Sequence, residues 1–174
     1  MTQTLLDPTA SPSLPSARAN ALADRLEQGA RALITFADGL TDAQWRTRIL
    51  PDGRTAGVIV HHVASVYPIE IQLAQALADG GPVTGVTMAD VHAMNAQHAV
   101  EYAAVTKAAA LELLRQNSAM AATAIRSWSD AQLANAAAVS LYADAPLTCQ
   151  FVLEDHAVRH SYHHLARLRR ALRP

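Results

Sequence analysis

Histidine is the residue type that stands out in this sequence, with eight copies against a single cysteine. Two of the histidines, His160 and His164, are four residues apart near the carboxyl end of the chain. Residues at this spacing lie one above the other on one face of a helix, so both imidazoles can reach the same metal ion. The same face also carries apolar residues, and a buried imidazole needs a partner to offset its desolvation. The pair therefore predicts a metal site that faces the core.

A third ligand for such a site has to come from another helix, and His62 is the candidate. It lies on an apolar stripe between Ile59 and Val66, at helical spacing. Catalytic zinc-type sites use this arrangement, in which three neutral imidazoles bind the ion and one of its coordination positions stays open. The alternative is that His62 is a core histidine, hydrogen-bonded to a carbonyl group. His61 is rotated away from the stripe, so we expect it to contact solvent or to support the site from outside.

Other polar residues are candidates for catalytic or substrate-binding roles near the ion. The catalytic candidates are His98, His156 and Tyr102, and the substrate-binding candidates are Asn95, His61 and His163. Asn95, His98 and Tyr102 form a polar line at helical spacing, which alternatively is a set of satisfied polar groups inside a bundle. His156 lies one turn before His160, about 6 Å along a helix axis, so it is expected to border the site.

Two further residues bear on the site. Glu70, beyond His62 on the same predicted helix, either orients a ligand histidine or is solvated. Cys149 lies eleven residues before His160, about 16 Å along a helix, so it cannot share the ion and is expected to be a small buried hydrophobe. Because there is no second cysteine, an internal disulfide framework and a multi-cysteine metal site are excluded.

The elements that must position these residues are helices. Apolar periodicity and cap residues predict four main helices, at 17–39 with Ser16 as N-cap, at 55–79, at 89–128 and at 147–172. Pro68 predicts a kink in the second helix, or its division into two shorter ones. Ser129 is expected to cap a short extra helix at 130–136, before the last long helix. With no βαβ alternation and no internal repeat, the expected fold is an all-α, antiparallel four-helix bundle.

Length and charge restrict the function classes. The 174 residues are one domain's worth, and a net charge of −1 supplies no basic excess for binding nucleic acid. No apolar run approaches the roughly 20 residues that span a bilayer, and the first residues lack the features of a secretory signal. We expect a flexible, proline-containing tail at 1–15, one domain at 16–174, a cytoplasmic location, a small-molecule substrate, and no nucleic-acid or membrane partner.

Three segments resemble motifs of the DinB/YfiT-like superfamily, and they occur in that family's order. The family's linker between its first two helices resembles the segment from residue 39, GLTDAQWRTRILPDGRT. Its first histidine motif resembles the segment from residue 54, RTAGVIVHHVASVY. Its closing His-x-x-x-His followed by Leu-Ala resembles the segment from residue 159, RHSYHHLARL. The resemblance covers most of residues 17–172 and implies a four-helix bundle of up-down-down-up connectivity. It implies that His62, His160 and His164 bind a divalent metal at one end of the bundle. Where the family often has Gln, this chain has Arg167, so no role is carried over to that position.

The resemblance also implies metal-assisted chemistry on a small molecule. Relatives in this superfamily include enzymes that use low-molecular-weight thiols such as mycothiol, bacillithiol or glutathione as cosubstrates. We therefore expect a thiol-dependent transferase or isomerase. The alternatives are a metal-dependent hydrolase, which would turn over without added thiol, and a non-catalytic, stress-linked metal-binding protein. Zinc or nickel is the expected ion, iron and copper are further candidates for imidazole ligands, and the resemblance implies a homodimer.

Overall fold

The computed structural model describes residues 16–172, which are mostly helical. In chain order the elements are α1 (Ala17–Asp38), α2 (Asp42–Trp45), β1 (Arg48–Ile49), β2 (Arg54–Thr55), α3 (Ala56–Ala78), α4 (Met88–Glu101), α5 (Lys107–Arg126), α6 (Asp130–Ala134), β3 (Ala136–Val139), a 3₁₀ turn (Ser140–Tyr142), β4 (Ala145–Thr148), α7 (Cys149–Leu153), a π-helical turn (Glu154–Val158) and α8 (Arg159–Ala171). The tail predicted at 1–15 lies outside the described residues. In the described part of the chain, no helix is long and apolar enough to cross a membrane.

The first helix follows its sequence pattern. The hydroxyl of Ser16 accepts a hydrogen bond from the Ala19 amide at 2.9 Å, which confirms the predicted N-cap. The leucines of the predicted stripe, Leu22, Leu26 and Leu33, are all buried. Local capping and periodicity were therefore sufficient to predict this helix.

The third helix, α3, is buried on every side over its first nine residues, 56–64. Thr55, where the sequence predicts the helix to begin, is its N-cap, because its hydroxyl accepts a hydrogen bond from the Val58 amide at 3.2 Å. The helix continues past Pro68 without a break, so the alternative of two shorter helices is wrong. Because α3 has no exposed face at its start, the adjacent residues His61 and His62 are both buried.

Contacts at the ends of the long helices give their directions. Ser16, at the start of α1, hydrogen-bonds Asp130 just beyond the end of α5, and Lys107 at the start of α5 donates to the Leu40 carbonyl beyond the end of α1. These two helices therefore run in opposite directions. The last helical segment, from α7 through α8, runs in the same direction as α1. The pairs that show this are Arg18–Gln150, Arg25–Glu154 and Gln28–Tyr162.

The second and third long helices, α3 and α5, run side by side in the same direction. The Asn117 amide donates to the Ala64 carbonyl at 2.9 Å, and further along the Trp128 indole donates to Gln75 Oε1 at 2.8 Å. Together with the directions of α1 and α8, this is the up-down-down-up four-helix bundle that the resemblance implies. The short extra helix before the last long one is also present, as α6.

The prediction of one helix over 89–128 is wrong, because the chain forms α4 and α5 with a turn between them. The hydroxyl of Thr106 caps α5 by accepting a hydrogen bond from the Ala109 amide at 3.2 Å. The Val105 carbonyl accepts a hydrogen bond from the Trp45 indole at 3.0 Å instead of continuing a helix. None of the 14 residues of α4 is fully buried. At 1.5 Å per residue α4 carries the chain back by about 21 Å along α3, which is what allows α3 and α5 to be parallel.

Two β-hairpins frame the ends of the bundle. Strands β1 and β2 pair antiparallel around a turn at residues 51–53, where Gly53 has a φ of +71°. Trp45 packs against Gly57 of α3 so closely that a Cβ there would be 2.4 Å from the indole, so only glycine fits. The second hairpin, β3 and β4, lies between the short extra helix α6 and the last helical segment.

Candidate metal centre

Three histidine side chains from α3 and α8 meet in the interior of the bundle. One ligand nitrogen from each of His62, His160 and His164 lies within 4.8 Å of those of the other two. The Nε2 atoms of His62 and His160 are 3.3 Å apart. His62 and His164 are only 5% and 6% exposed. The structure thus brings together the three residues that spacing and resemblance single out as ligands.

The regular geometry of α8 places two of these rings on one face. His160 and His164 are stacked, with ring centroids 4.9 Å apart and an interplanar angle of 25°. Between them in sequence, Ser161 forms a buried hydrogen bond of 2.7 Å with the hydroxyl of Tyr67 on α3. This bond ties α8 to α3 close to His62 and so holds the two halves of the cluster in register.

Glu70 orients one of the three rings. Its Oε1 lies 2.5 Å from Nδ1 of His160, and the residue is 6% exposed. Because a carboxylate accepts a hydrogen bond from Nδ1–H, the Nε2 atom of His160 is left free to face His62. Of the two interpretations of Glu70 made from the sequence, the solvated carboxylate is wrong because the residue is buried, and its contact with His160 fits the orienting one.

The charge state and the unpartnered atoms of the cluster fit a cation. Burial, followed by the electrostatic effect of His160, lowers the pKa of His62 and of His164 to about 2. Both rings are therefore neutral at neutral pH, which is the form that binds a metal. Within the described residues, Nδ1 of His164 is buried without a hydrogen-bond partner. Such an atom costs on the order of 1–3 kcal/mol unless a ligand satisfies it.

A second polar group lies beside the cluster, where α4 passes over the start of α3. His61 Nδ1 and His98 Nε2 are 2.9 Å apart, and Ser65 Oγ lies 3.2 Å from the same His98 nitrogen. The ring of Tyr102 stacks on His61, with centroids 4.0 Å apart. His61 is 6% exposed because α4 covers it, so the expectation that it contacts solvent is wrong. Burial lowers the pKa of His98 to about 4, which leaves this ring neutral.

A cavity of about 300 Å³ opens directly beside His62, between α3 and α4. One side of it is apolar and is formed by Val66, Ile69 and Met94. The polar residues that line it are Ser65, Asn95, Gln97, His98, Glu101 and Tyr102. A small molecule in this cavity would therefore contact His62 of the cluster together with three of the other predicted site residues, Asn95, His98 and Tyr102.

Two other predicted site residues, His156 and His163, lie outside this cavity. Nε2 of His156 is 3.1 Å from the hydroxyl of Tyr142, which also donates to Asp155. A π-helical turn adds one residue to a helical turn, so the four-residue spacing does not place His156 and His160 on one face. His163 is exposed and meets the edge of His164, with ring centroids 5.0 Å apart. Neither His156 nor His163 lines the cavity beside His62.

Arg54 is the residue near the centre that the sequence argument missed. It lies on β2 and lines a neighbouring cavity of about 420 Å³, which shares Asn95 with the cavity beside His62. Its position directly after the turn at residues 51–53, and just before the first histidine motif, was the available indication. An arginine beside a turn is ordinarily solvated, so only the packing shows that it is inside.

Comparisons with known proteins agree with this architecture. The sequence model of the DinB superfamily matches residues 25–168. No curated protein matches the chain in sequence. YfiT from Bacillus subtilis, described as a probable metal-dependent hydrolase with an unusual four-helix bundle topology, superposes with a TM-score of 0.69 at 19% identity, over 95% of this chain and 92% of its own. The mycothiol-dependent maleylpyruvate isomerase superposes with a TM-score of 0.67 at 14% identity, over 86% of this chain and 60% of its own length.

Proposed function

Because the chain belongs to the DinB superfamily and its three-histidine cluster borders a cavity, we propose that it is a divalent-metal-dependent enzyme acting on a small molecule. The observation that carries this proposal is the double position of His62. It is a member of the cluster and it also lines the cavity, so a substrate there is next to the ion.

The residues of the centre have distinct proposed roles. His62, His160 and His164 would hold the ion, which we expect to be zinc or nickel, with iron and copper as alternatives. A bound cation supplies Lewis acidity, which lowers the pKa of a water or thiol that reaches it. Glu70 keeps the proton of His160 on Nδ1. His98 lines the cavity and is held through Nε2 by His61 and Ser65, while its buried Nδ1, which has no partner in the part of the chain that the structure describes, would be available to a bound molecule.

The reaction class that we propose is thiol-dependent transfer or isomerisation, with the thiol as a cosubstrate. The apolar wall of the cavity suits a thiol, which is more weakly hydrated than water. The chain's one cysteine, Cys149, is buried on α7, and burial raises the pKa of its thiol to about 12. It is therefore protonated and inert, so the reacting sulfur has to arrive with a small molecule. The fold shared with the mycothiol-dependent isomerase supports this choice.

A metal-dependent hydrolase is the second candidate. It is supported by the fold shared with YfiT over nearly the whole of both chains. The polar side of the cavity, with Asn95, His98 and Tyr102, would then orient a water and a hydrolysable bond. Turnover of an ester or amide panel without added thiol favours this candidate. Metal-dependent turnover only when a thiol and an electrophile are both present favours the transferase.

The metal site is tested by elemental analysis of tag-free protein. We expect one ion per chain in the wild type, and loss of the ion in His160→Ala and His164→Ala. His92→Ala is the matched control, because His92 is exposed on α4 and outside the cluster. Unchanged stoichiometry in both cluster variants contradicts the proposal. The homodimer that we also propose is checked on the same samples by light scattering.

A further inference from the structure

Arg54 is held inside the structure next to the candidate metal centre, with its side chain 12% exposed. Two of its nitrogens are used by Asp52: Nε donates to Oδ2 at 2.8 Å, and Nη2 lies 2.7 Å from the same oxygen. The remaining nitrogen, Nη1, is buried and has no hydrogen-bond partner among the described residues. A buried, charged donor without an acceptor is costly, so this nitrogen indicates a missing acceptor.

The charges around Arg54 define the kind of acceptor. Asp52 is shared with Arg167, whose Nη2 and Nη1 donate to its two oxygens at 2.6 and 3.0 Å. Burial raises the pKa of Asp52, but hydrogen bonds from Arg167 and Arg54 outweigh that effect and hold the pKa well below 3.8. Two guanidinium groups and one carboxylate therefore leave one net positive charge. This charge matches a carboxylate, which carries one negative charge, better than a doubly charged phosphate.

The space around Arg54 leads towards the metal centre. Arg54 and Asp52 line the 420 Å³ cavity together with His92 and Asn95, and Asn95 also lines the cavity beside His62. Within the described residues, Asn95 Oδ1 is buried without a partner, so this site lacks a donor as well as an acceptor. A carboxylate with an adjacent hydroxyl or N–H group would supply both.

We propose that Arg54 binds the carboxylate of a small substrate or cosubstrate, with Asn95 accepting from a neighbouring hydroxyl or N–H group. The remainder of the molecule then extends through the cavity beside His62. Asp52 and Arg167 are positioning residues, because they hold the guanidinium of Arg54 with Nη1 directed away from the ion pair. A carboxylate at Arg54 would give the substrate class of the proposed function. Binding of the carboxylate does not depend on that function, whereas reaction of the remainder of the molecule at the metal centre rests on it.

Binding of lactate to zinc-loaded, ¹⁵N-labelled full-length protein tests the proposal. Lactate has a carboxylate next to a hydroxyl group, and lactamide is the neutral molecule of the same shape. We expect lactate to shift the side-chain resonances of Arg54 and Asn95 in a saturable way, and lactamide to leave them unchanged. Absence of a saturable shift, or equal shifts with lactamide, overturns the proposal.

Variants separate recognition by Arg54 from a general effect of charge. Arg54→Gln is expected to weaken lactate binding at least about tenfold, because a charge-assisted hydrogen bond is lost. The affinity of this variant is measured from the shift of the Asn95 side-chain amide resonance. Arg54→Lys keeps the charge without the guanidinium fork and is expected to lie between Arg54→Gln and the wild type. Arg25→Gln is the matched control, since Arg25 pairs with the carboxylate of Glu154 on the protein surface at 3.0 Å. Wild-type affinity in a folded Arg54→Lys or Arg54→Gln protein overturns the proposal.

Removal of the metal distinguishes failure here from failure of the proposed function. The ion pairs that hold Arg54 involve no histidine of the cluster, so lactate is expected to bind Arg54 in His160→Ala protein as well. If wild-type protein binds no zinc but lactate still shifts Arg54, the carboxylate site stands and the proposed function fails. If zinc binds and lactate does not shift Arg54, only the carboxylate site is overturned.

Discussion

The interior of this bundle differs between its two halves. The buried residues that α1 and α5 contribute are mostly leucine, isoleucine and alanine, and Leu26, Leu114 and Ile125 are each 0% exposed. Where α3 meets α8, the buried residues include His62, Glu70 and His164. Apolar side chains need only close packing, whereas each buried polar group needs a hydrogen bond or a ligand to offset its desolvation. The two halves therefore meet different physical requirements.

This difference separates stability from chemistry within one small domain. The half formed by α1 and α5 supplies apolar burial, which stabilises the fold by about 25 cal/mol for each Å² removed from water. The half formed by α3 and α8 keeps His164 Nδ1 and Glu70 Oε2 buried, with no hydrogen-bond partner in residues 16–172. Each such atom is destabilising by itself, and a ligand would enter through the cavity beside His62. Destabilisation is thus concentrated where binding can relieve it.

The largest expected effect is on stability, from a change in the apolar half. Leu26→Ala should lower the free energy of unfolding by about 2–5 kcal/mol, because it removes buried methyl groups and leaves a cavity. Metal affinity should stay at the wild-type value, since Leu26 is on α1 and the cluster is on α3 and α8. Urea unfolding of the metal-free protein and a zinc titration measure the two quantities. A large loss of zinc affinity would contradict the separation of the two halves.

The next effect is on metal affinity, from a change in the polar half. Glu70→Gln should weaken zinc binding about 10–100-fold, because the amide cannot hold the His160 Nδ1 proton as a carboxylate does. Competition with a chromophoric chelator measures the affinity. Glu154→Gln is the control, since this carboxylate on the last helical segment is 39% exposed and outside the cluster. Equal zinc affinity in Glu70→Gln and the control would remove the orienting role of Glu70.

Replacing one histidine of the cluster is expected to have a smaller effect on stability, of opposite sign. His164→Leu should raise the free energy of unfolding of the protein by about 1 kcal/mol when a chelator has removed any metal, because it replaces a buried nitrogen that has no partner among the described residues by an apolar group. It should also abolish zinc binding. The neighbouring substitution His163→Leu, on the exposed face, should change stability by less than about 0.5 kcal/mol. If His164→Leu destabilises the metal-free protein, the buried polar groups where α3 meets α8 do not lower its stability.

The smallest effect concerns the hairpin beside the polar half. The pKa of Asp52 is lowered in the folded protein, so its contribution is present above pH 3.8 and is lost as pH falls below that value. Asp52→Asn should lower stability at neutral pH by less than about 1 kcal/mol, because the carboxylate is 35% exposed. The variant should also lose less stability between pH 5 and about pH 3 than the wild type. Urea unfolding at each pH measures this, with the exposed Asp42→Asn as control.

Much of the fold could be predicted from local patterns. The N-cap of α1, the start of α3 near residue 55 and the burial of the α1 leucines agree with the sequence, because a helix start and a stripe depend only on residues a few positions apart. The break between α4 and α5 could not be predicted in this way. Without Gly or Pro, the helical pattern continues through residues 102–106, and the turn is stabilised by the contact of Trp45 with the Val105 carbonyl. That contact joins residues 60 positions apart.

The candidate site divides in the same manner. The spacing of His160 and His164 is a property of one helix, so the sequence alone placed both rings on one face. The sequence and the family resemblance also named His62, but only the packing of α3 on α8 brings it to 3.3 Å from His160. Tertiary structure likewise buries His61 under α4, turns His156 towards Tyr142, and places Arg54 inside. Helical periodicity acts over a few residues, whereas the approach of two helices depends on all the side chains between them. The candidate ligands could therefore be named from the sequence, while the cavity beside His62 could not.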